Sequence, residues 1–355
     1  MRILLLCNKL PYPANDGSSI AISKMIEGFV EEGAQVSVLS LNTIKHFKDP
    51  VKIPQKIRES VDFTIVDVNT NPTSRKAFVN LFQKLPFHVS RFYQANVAKK
   101  LVHILKESDF DVVQIEGLFM MPYAHLIKKH NKAKIALRTH NIEHRIWERA
   151  IESSSKPALK AFLKMQTRKL KRYEWFCAGQ ADAIVAISEK DEAYFQILNP
   201  LSITIPCGIE QTDANHNISN QHFFHLGAMD WFPNQQGIDW LVKKVWPIVF
   251  AANNTLTLHL AGRAMSEKLL GMKAEGIIVH GEIDDASNFR KNHGIMLVPL
   301  LAGSGIRIKI IEGLAEGIPV ISTDIGAEGI PAKHEKEIIY ANSAQDFASA
   351  MLQLA

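Results

Sequence analysis

Two glycines one residue apart, Gly303 and Gly305, are followed within a helical turn by Arg307 and Lys309, and then by Glu312, in the stretch GSGIRIKIIEGLAEGIPVISTD that begins at residue 303. Glycines so placed let a backbone approach a ligand closely and take positive φ without steric cost. A helix that opens directly behind such a loop aims free N–H groups, here those of Ser304 to Ile306, and its positive end at whatever lies in front, which favours phosphate. Arg307 and Lys309 add two cations, and a fixed Glu312 can accept hydrogen bonds from sugar hydroxyls. The chemistry suited to this set is the holding of a nucleotide diphosphate. A second concentration of reactive side chains is RTHNIEHR, which places Arg138, His140, Asn141, Glu143 and His144 at the end of an apolar run.

The elements that must carry these residues are legible from periodicity. Gly294 to Leu300 is nearly all apolar, as in a strand covered on both faces. Ile306, Ile310, Ile311 and Leu314 recur at helical spacing, Gly317 ends the helix with Pro319 behind it, and Pro319 to Thr323 reads as another short strand. RILLLC (2–7), QVSVLSL (35–41), DFTIVDV (62–68), DVVQIEG (111–117), KIALRTH (134–140) and ADAIVAIS (181–188) read as six strands, and helical segments separate several of them. Ser18 or Ser19 is expected to cap the helix after the first strand. The pattern predicts an α/β protein of parallel, Rossmann-like sheets whose ligands lie at strand carboxyl ends, which is where His140 falls.

At 355 residues the chain exceeds one typical core, and the polar, aperiodic stretch Gln211 to Gln221 predicts a boundary between domains 1–210 and 211–355. Past it, Asn234 is expected to cap a helix, and EIIYA (337–341) to form a last strand. The composition, 46% hydrophobic and 22% charged with a net charge of +5, is that of an ordinary globule with a mild preference for anions. Three scattered cysteines without metal-ligand spacing suggest reduced thiols, and no apolar run approaches the roughly 18 residues of a membrane span. The apolar start stops at Asn8 and Lys9 without a cleavage site, so a cytoplasmic protein is expected. G-x-G-x-x-G is absent, which speaks against a dehydrogenase. No acidic pair of the DxD kind sits at a strand end, and no metal or other cofactor is expected. Phe78, Phe82, Phe87, Phe92 and Tyr93 either bury helix faces or meet a lipid surface. Lys160, Lys164, Arg168, Lys171 and Arg172 make a basic stripe that suits solvent or an anionic membrane; nucleic acid lacks a base-reading element to go with it.

The segment from Gly303 to Thr323 resembles the donor site of family-four, GT-B glycosyltransferases, in a subgroup similar to bacterial exopolysaccharide sugar transferases. Glu312 matches the second glutamate of that family's E-x7-E pattern, while Ser304 stands at the first, which usually touches the donor hexose. The I-P-N-G-I-D crossover reads IPCGIE here, with Cys207 and Glu210 as departures. The resemblance implies two Rossmann-like domains facing across a cleft, and retaining transfer of a hexose from a nucleotide-diphosphate sugar to a saccharide or lipid-linked acceptor in cell-surface polysaccharide synthesis. It implies His140, with His144 second, at the transferred sugar, Gly281 and Ile283 beside the nucleobase, and Gly17 and Ser18 lining the cleft, where a plain structural turn is the alternative. The family's G-R-L…K-G cations are missing, which leaves Arg307, Lys309 and then Arg263 to neutralise the diphosphate. The chain stops before the family's usual crossover helix, so that helix is expected to be absent or cut off. A GT-B nucleotide-sugar epimerase using Glu116 and Glu143, or a non-catalytic nucleotide-sugar binder, are the other readings.

Overall fold

A computed structural model describes residues 1–152, 157–209, 221–303 and 305–355. These gather into two compact units, Met1–Gly208 and Ile209–Ala355. Ser304, Glu210 and most of the stretch expected to link the domains, 211–220, lie outside the described residues.

The first unit is built on seven parallel strands: β1 (Arg2–Cys7), β2 (Gln35–Thr43), β3 (Val61–Val68), β4 (Val112–Glu116), β5 (Lys134–Thr139), β6 (Ala183–Ala186) and β7 (Ser202–Thr204). Their order across the sheet is β3-β2-β1-β4-β5-β6-β7, so the winding reverses between β1 and β4. Alternation along β1 explains the layering. Leu4 and Leu6 enter a core with Leu101, Val113 and Leu137 on one face, whereas Ile3, Leu5 and Cys7 join Ile22, Ile26 and Val36 on the other. SIT (202–204), just before the IPCGIE crossover, is an edge strand of this sheet.

Six parallel strands make the second unit: β8 (His222–Leu226), β9 (Thr257–Ala261), β10 (Ile277–Gly281), β11 (Ile295–Val298), β12 (Val320–Ser322) and β13 (Ile339–Tyr340). Their order is β10-β9-β8-β11-β12-β13, and the reversal falls between β8 and β11. Phe223, Leu258 and Leu297 pack on one side, Phe224, Met296, Val298 and Ile310 on the other.

Two helix starts differ from expectation. Asp16, not Ser18 or Ser19, caps the Gly17–Glu31 helix: its Oδ1 accepts from Ser19 N and also from the Lys9 ammonium. Gly17 is the first helical residue and is exposed, Ser18 is half-buried, and Gly17 has no positive φ. Asn234 likewise sits inside the Phe232–Trp240 helix, which starts early because Pro233 fits its first turn, and the Asn234 amide instead donates to Ala228 O at 2.8 Å. The end of the Ile308–Ala315 helix follows expectation: Gly317 has φ +71°, and Ile318 N bonds back to Gly313 O.

Candidate active site

In open α/β sheets ligands bind past the strand carboxyl ends where the winding reverses. In the second unit that place is the gap between β8 and β11, and the glycine loop falls there because it follows β11 directly. Gly303 and Gly305 take φ of +130° and +80°, the left-handed conformations their spacing suggested. A Cβ on Gly303 would stand 2.4 Å from Arg307 Nη2. Arg307 is buried at the N-cap of the Ile308–Ala315 helix, donates to Gly305 O, and lays its guanidinium 5.1 Å over the Trp231 ring. Lys309 points to the same end of the sheet, where Nζ donates to Leu226 O, the last residue of β8, at 3.0 Å. Burial, and then the Arg307 charge, push the Lys309 ammonium down to about 7.

The β8 and β9 ends are drawn together by their backbones. Gly227 N bonds Ala261 O at 3.0 Å, Met229 N bonds Arg263 O at 2.9 Å, and a Cβ on Gly262 would stand 1.9 Å from Gly227 O. Arg263 lies 3.8 Å from Asp230 in a half-buried ion pair. Gly262 N in turn bonds Gly281 O at 2.7 Å, so Gly281, with φ +73°, joins the same rim. Ile283 packs half-buried against the core that holds Phe224, Met296 and Ile310, and Ile306 is half-buried beyond the glycine loop.

Glu312 is held in place by a neighbouring cation. Arg290 Nη1 donates to it at 3.2 Å, while Nη2 and Nε donate to the two carboxylate oxygens of Glu316 at 2.6 and 2.8 Å. Burial raises the Glu312 carboxyl while Arg290 pulls it back, and Glu316 adds to the rise. Arg290, Trp231 and His225 were missed by sequence reasoning. His225 is fully buried on β8 with Nδ1–H on Leu297 O at 2.9 Å, and its Nε2 has no partner among the described residues. Nothing in the order of residues marks these three, because their partners lie 22 to 76 positions away.

The first unit brings a different group to the ends of β4 and β5, next to its own reversal point. Glu116 is buried and accepts from His140 Nε2 at 2.8 Å, Arg138 Nη1 at 3.4 Å and Gln114 Nε2 at 2.5 Å. Burial opposes its charge, yet Arg138, His140 and Gln114 together hold it below the ordinary carboxylate value. An ionised Glu116 fixes the proton of a neutral His140 on Nε2; burial, outweighing Glu116, keeps the imidazole below its usual value. Arg138, expected to face a ligand, is instead 1% exposed and gives its remaining reach to Ala21 O at 3.0 Å, so it serves as an internal counter-ion. His144 is likewise taken up inside, 2.5 Å from Glu174 on the Pro157–Gln180 helix. Burial and the Glu174 charge raise the Glu143 carboxyl to about 8, so it stays protonated at neutral pH.

Of the aromatic segment, Phe87 and Phe92 belong to the core, whereas Phe78 and Phe82 are 64% and 82% exposed and stacked edge to face. On the long helix Lys164, Arg168 and Arg172 are exposed. No helix among the described residues is long and apolar enough to cross a membrane. One group of side chains among them could hold a metal ion, His259, His280 and His293.

The chain as a whole has relatives. Residues 16–212 match Glycosyltransferase Family 4, and residues 220–355 match Glycosyl transferases group 1. A Klebsiella pneumoniae protein described as an uncharacterized 44.6 kDa protein in the cps region is 22% identical over 99% of this chain and 90% of its own. Among solved structures, a variant of S. aureus TarM with fondaparinux, alpha-GlcNAc-glycerol and UDP superposes with a TM-score of 0.67 at 11% identity, over 99% of this chain and 92% of that one. Anabaena HepE with UDP-glucose gives 0.62 at 14%, over 99% and 89%. The fold is thus that of GT-B proteins, and because the first of the two family matches alone spans more than half of the residues, the chain belongs to Glycosyltransferase Family 4.

Proposed function

We propose that this glycosyltransferase moves a hexose, with retention of anomeric configuration, from a nucleoside-diphosphate sugar to a saccharide or lipid-linked acceptor in cell-surface polysaccharide synthesis. The observation that carries the reading is the convergence of Arg307, Lys309 and the Gly303–Gly305 turn on the reversal point of the six-stranded sheet. Transfer from such a donor asks the protein to place the reactants and stabilise charge developing on the departing diphosphate. Arg307, Lys309 and the N–H groups of Gly305 and Ile306 supply that charge complement. Glu312, steadied by Arg290, accepts from the ribose hydroxyls. His140, neutral and oriented by Glu116, takes the transferred sugar.

The TarM and HepE complexes with UDP and UDP-glucose support a uridine diphosphate donor, and the cps-region relative supports the pathway. The exposed Phe78 and Phe82 pair favours a lipid-linked acceptor met at the inner membrane face. An epimerase would need two available carboxyls, and Glu116 is committed to three internal partners.

Calorimetry with UDP is the test. Arg307→Ala is expected to weaken UDP binding about 10- to 100-fold, the loss of one or two charged hydrogen bonds. Equal affinity in wild type and variant would overturn the diphosphate site. UDP release from UDP-hexose, with the product anomer read by NMR, separates transfer from mere binding.

A further inference from the structure

The proposed donor site leaves three histidines of the second unit unused. His259 lies on β9, His280 on β10 just before Gly281, and His293 directly after the Ala286–Asn292 helix. One nitrogen from each lies within 4.8 Å of the others. We propose that these residues form a binding site for a divalent transition-metal ion, with zinc as the type case.

Three lines of geometry support the site. First, His259 Nδ1 and His280 Nε2 are 2.9 Å apart, a separation at which one proton must sit between two nitrogens. A metal ion takes the place of that proton. Second, two of the three ligand atoms, those of His293 and His259, are oriented by outer partners, as in metal-binding imidazoles generally. His293 Nδ1–H donates to Phe289 O at 2.8 Å, which leaves its Nε2 lone pair bare. His259 Nε2 lies 3.0 Å from Thr257 Oγ1, and that hydroxyl lies 2.6 Å from His222 Nδ1. A relay of His259 Nε2–H to Thr257 and Thr257 O–H to His222 leaves the His259 Nδ1 lone pair directed at His280. Third, the rings are already crowded: His259 and His293 centroids are 4.4 Å apart, and Phe289 stacks on His293 at 4.0 Å. Zinc–nitrogen bonds of about 2.0–2.1 Å put tetrahedral ligands roughly 3.4 Å apart, so side-chain shifts of about an ångström complete the set and leave a fourth position for water.

Three imidazoles and no thiolate suit zinc, copper, nickel or cobalt over magnesium or calcium. The ion would tie β9, β10 and the helix after them into one unit beside the Gly281 turn.

The test uses the full chain stripped with EDTA and titrated with Zn²⁺ alone, followed by calorimetry and thermal unfolding, and then with Co²⁺, whose visible absorption reports tetrahedral nitrogen ligation. One ion per chain, a raised Tm and a Co²⁺ spectrum are expected. His280 is exposed, so His280→Ala leaves the fold intact and should weaken Zn²⁺ binding at least tenfold; His293→Gln should do the same, and His103→Ala, at an exposed site elsewhere, should not. Absence of Zn²⁺ binding by the wild type, or equal binding by wild type and both cluster variants, would overturn the site.

Discussion

Lys309 shows how much of a residue's chemistry comes from its surroundings. Its ordinary value is 10.5, and in the folded chain it lies at about 7. Between those two values the unfolded chain holds the proton that the folded chain has released, so this residue makes the protein more stable as pH rises from about 7 to 10.5, and its burial is a cost that is fully present below about 7. A bound diphosphate reverses the balance by restoring the charge. At pH 8 calorimetry of UDP in two buffers of different ionisation enthalpy should therefore show net proton uptake on binding. Lys309→Met should abolish it, and a wild-type uptake of zero would remove Lys309 from the diphosphate site. Glu143 runs the other way: raised to about 8, it stabilises the fold at low pH and loses that contribution between about 4.5 and 8. Neither shift was legible in the sequence, since RIK and NIEH look like solvated charges until the chain folds over them.

At the scale of elements, strand and helix positions followed the periodicity closely, because apolar alternation and glycine stops record local conformation. Helix starts were less legible where two good caps compete. Asp16 and Ser18 are equally able to cap, and Lys9 decides for Asp16 from seven residues away. The glycine loop was the clearest local signal, and it is also the most constrained. Gly303 combines φ +130° with a Cβ position already taken by Arg307. Gly303→Ala should cost about 1–3 kcal/mol in stability. It should also weaken UDP binding by displacing the guanidinium, both measurable by urea unfolding with and without UDP. Unchanged stability and affinity would mean that the turn holds nothing in place.

For the molecule as a whole, two sheets in sequence order were readable from the run of strands, while the site partners were not. Glu116 meets Arg138 across 22 residues, and Arg138 reaches Ala21 across 117. Those pairings follow from which strands become neighbours, a property of the winding and not of any local stretch. The winding has one further consequence. It places Cys7 at the end of β1, an interior strand, where burial and then the Glu116 charge push the thiol well above its usual value, and Cys177 and Cys207 are buried as well. A thiol that is both hidden and protonated ignores alkylating reagents until the surrounding strands part. The rate at which iodoacetamide marks Cys7 in native buffer is thus a clock for spontaneous opening: slow labelling that accelerates in mild denaturant is expected, and prompt labelling of the native chain would show that the middle of the sheet breathes.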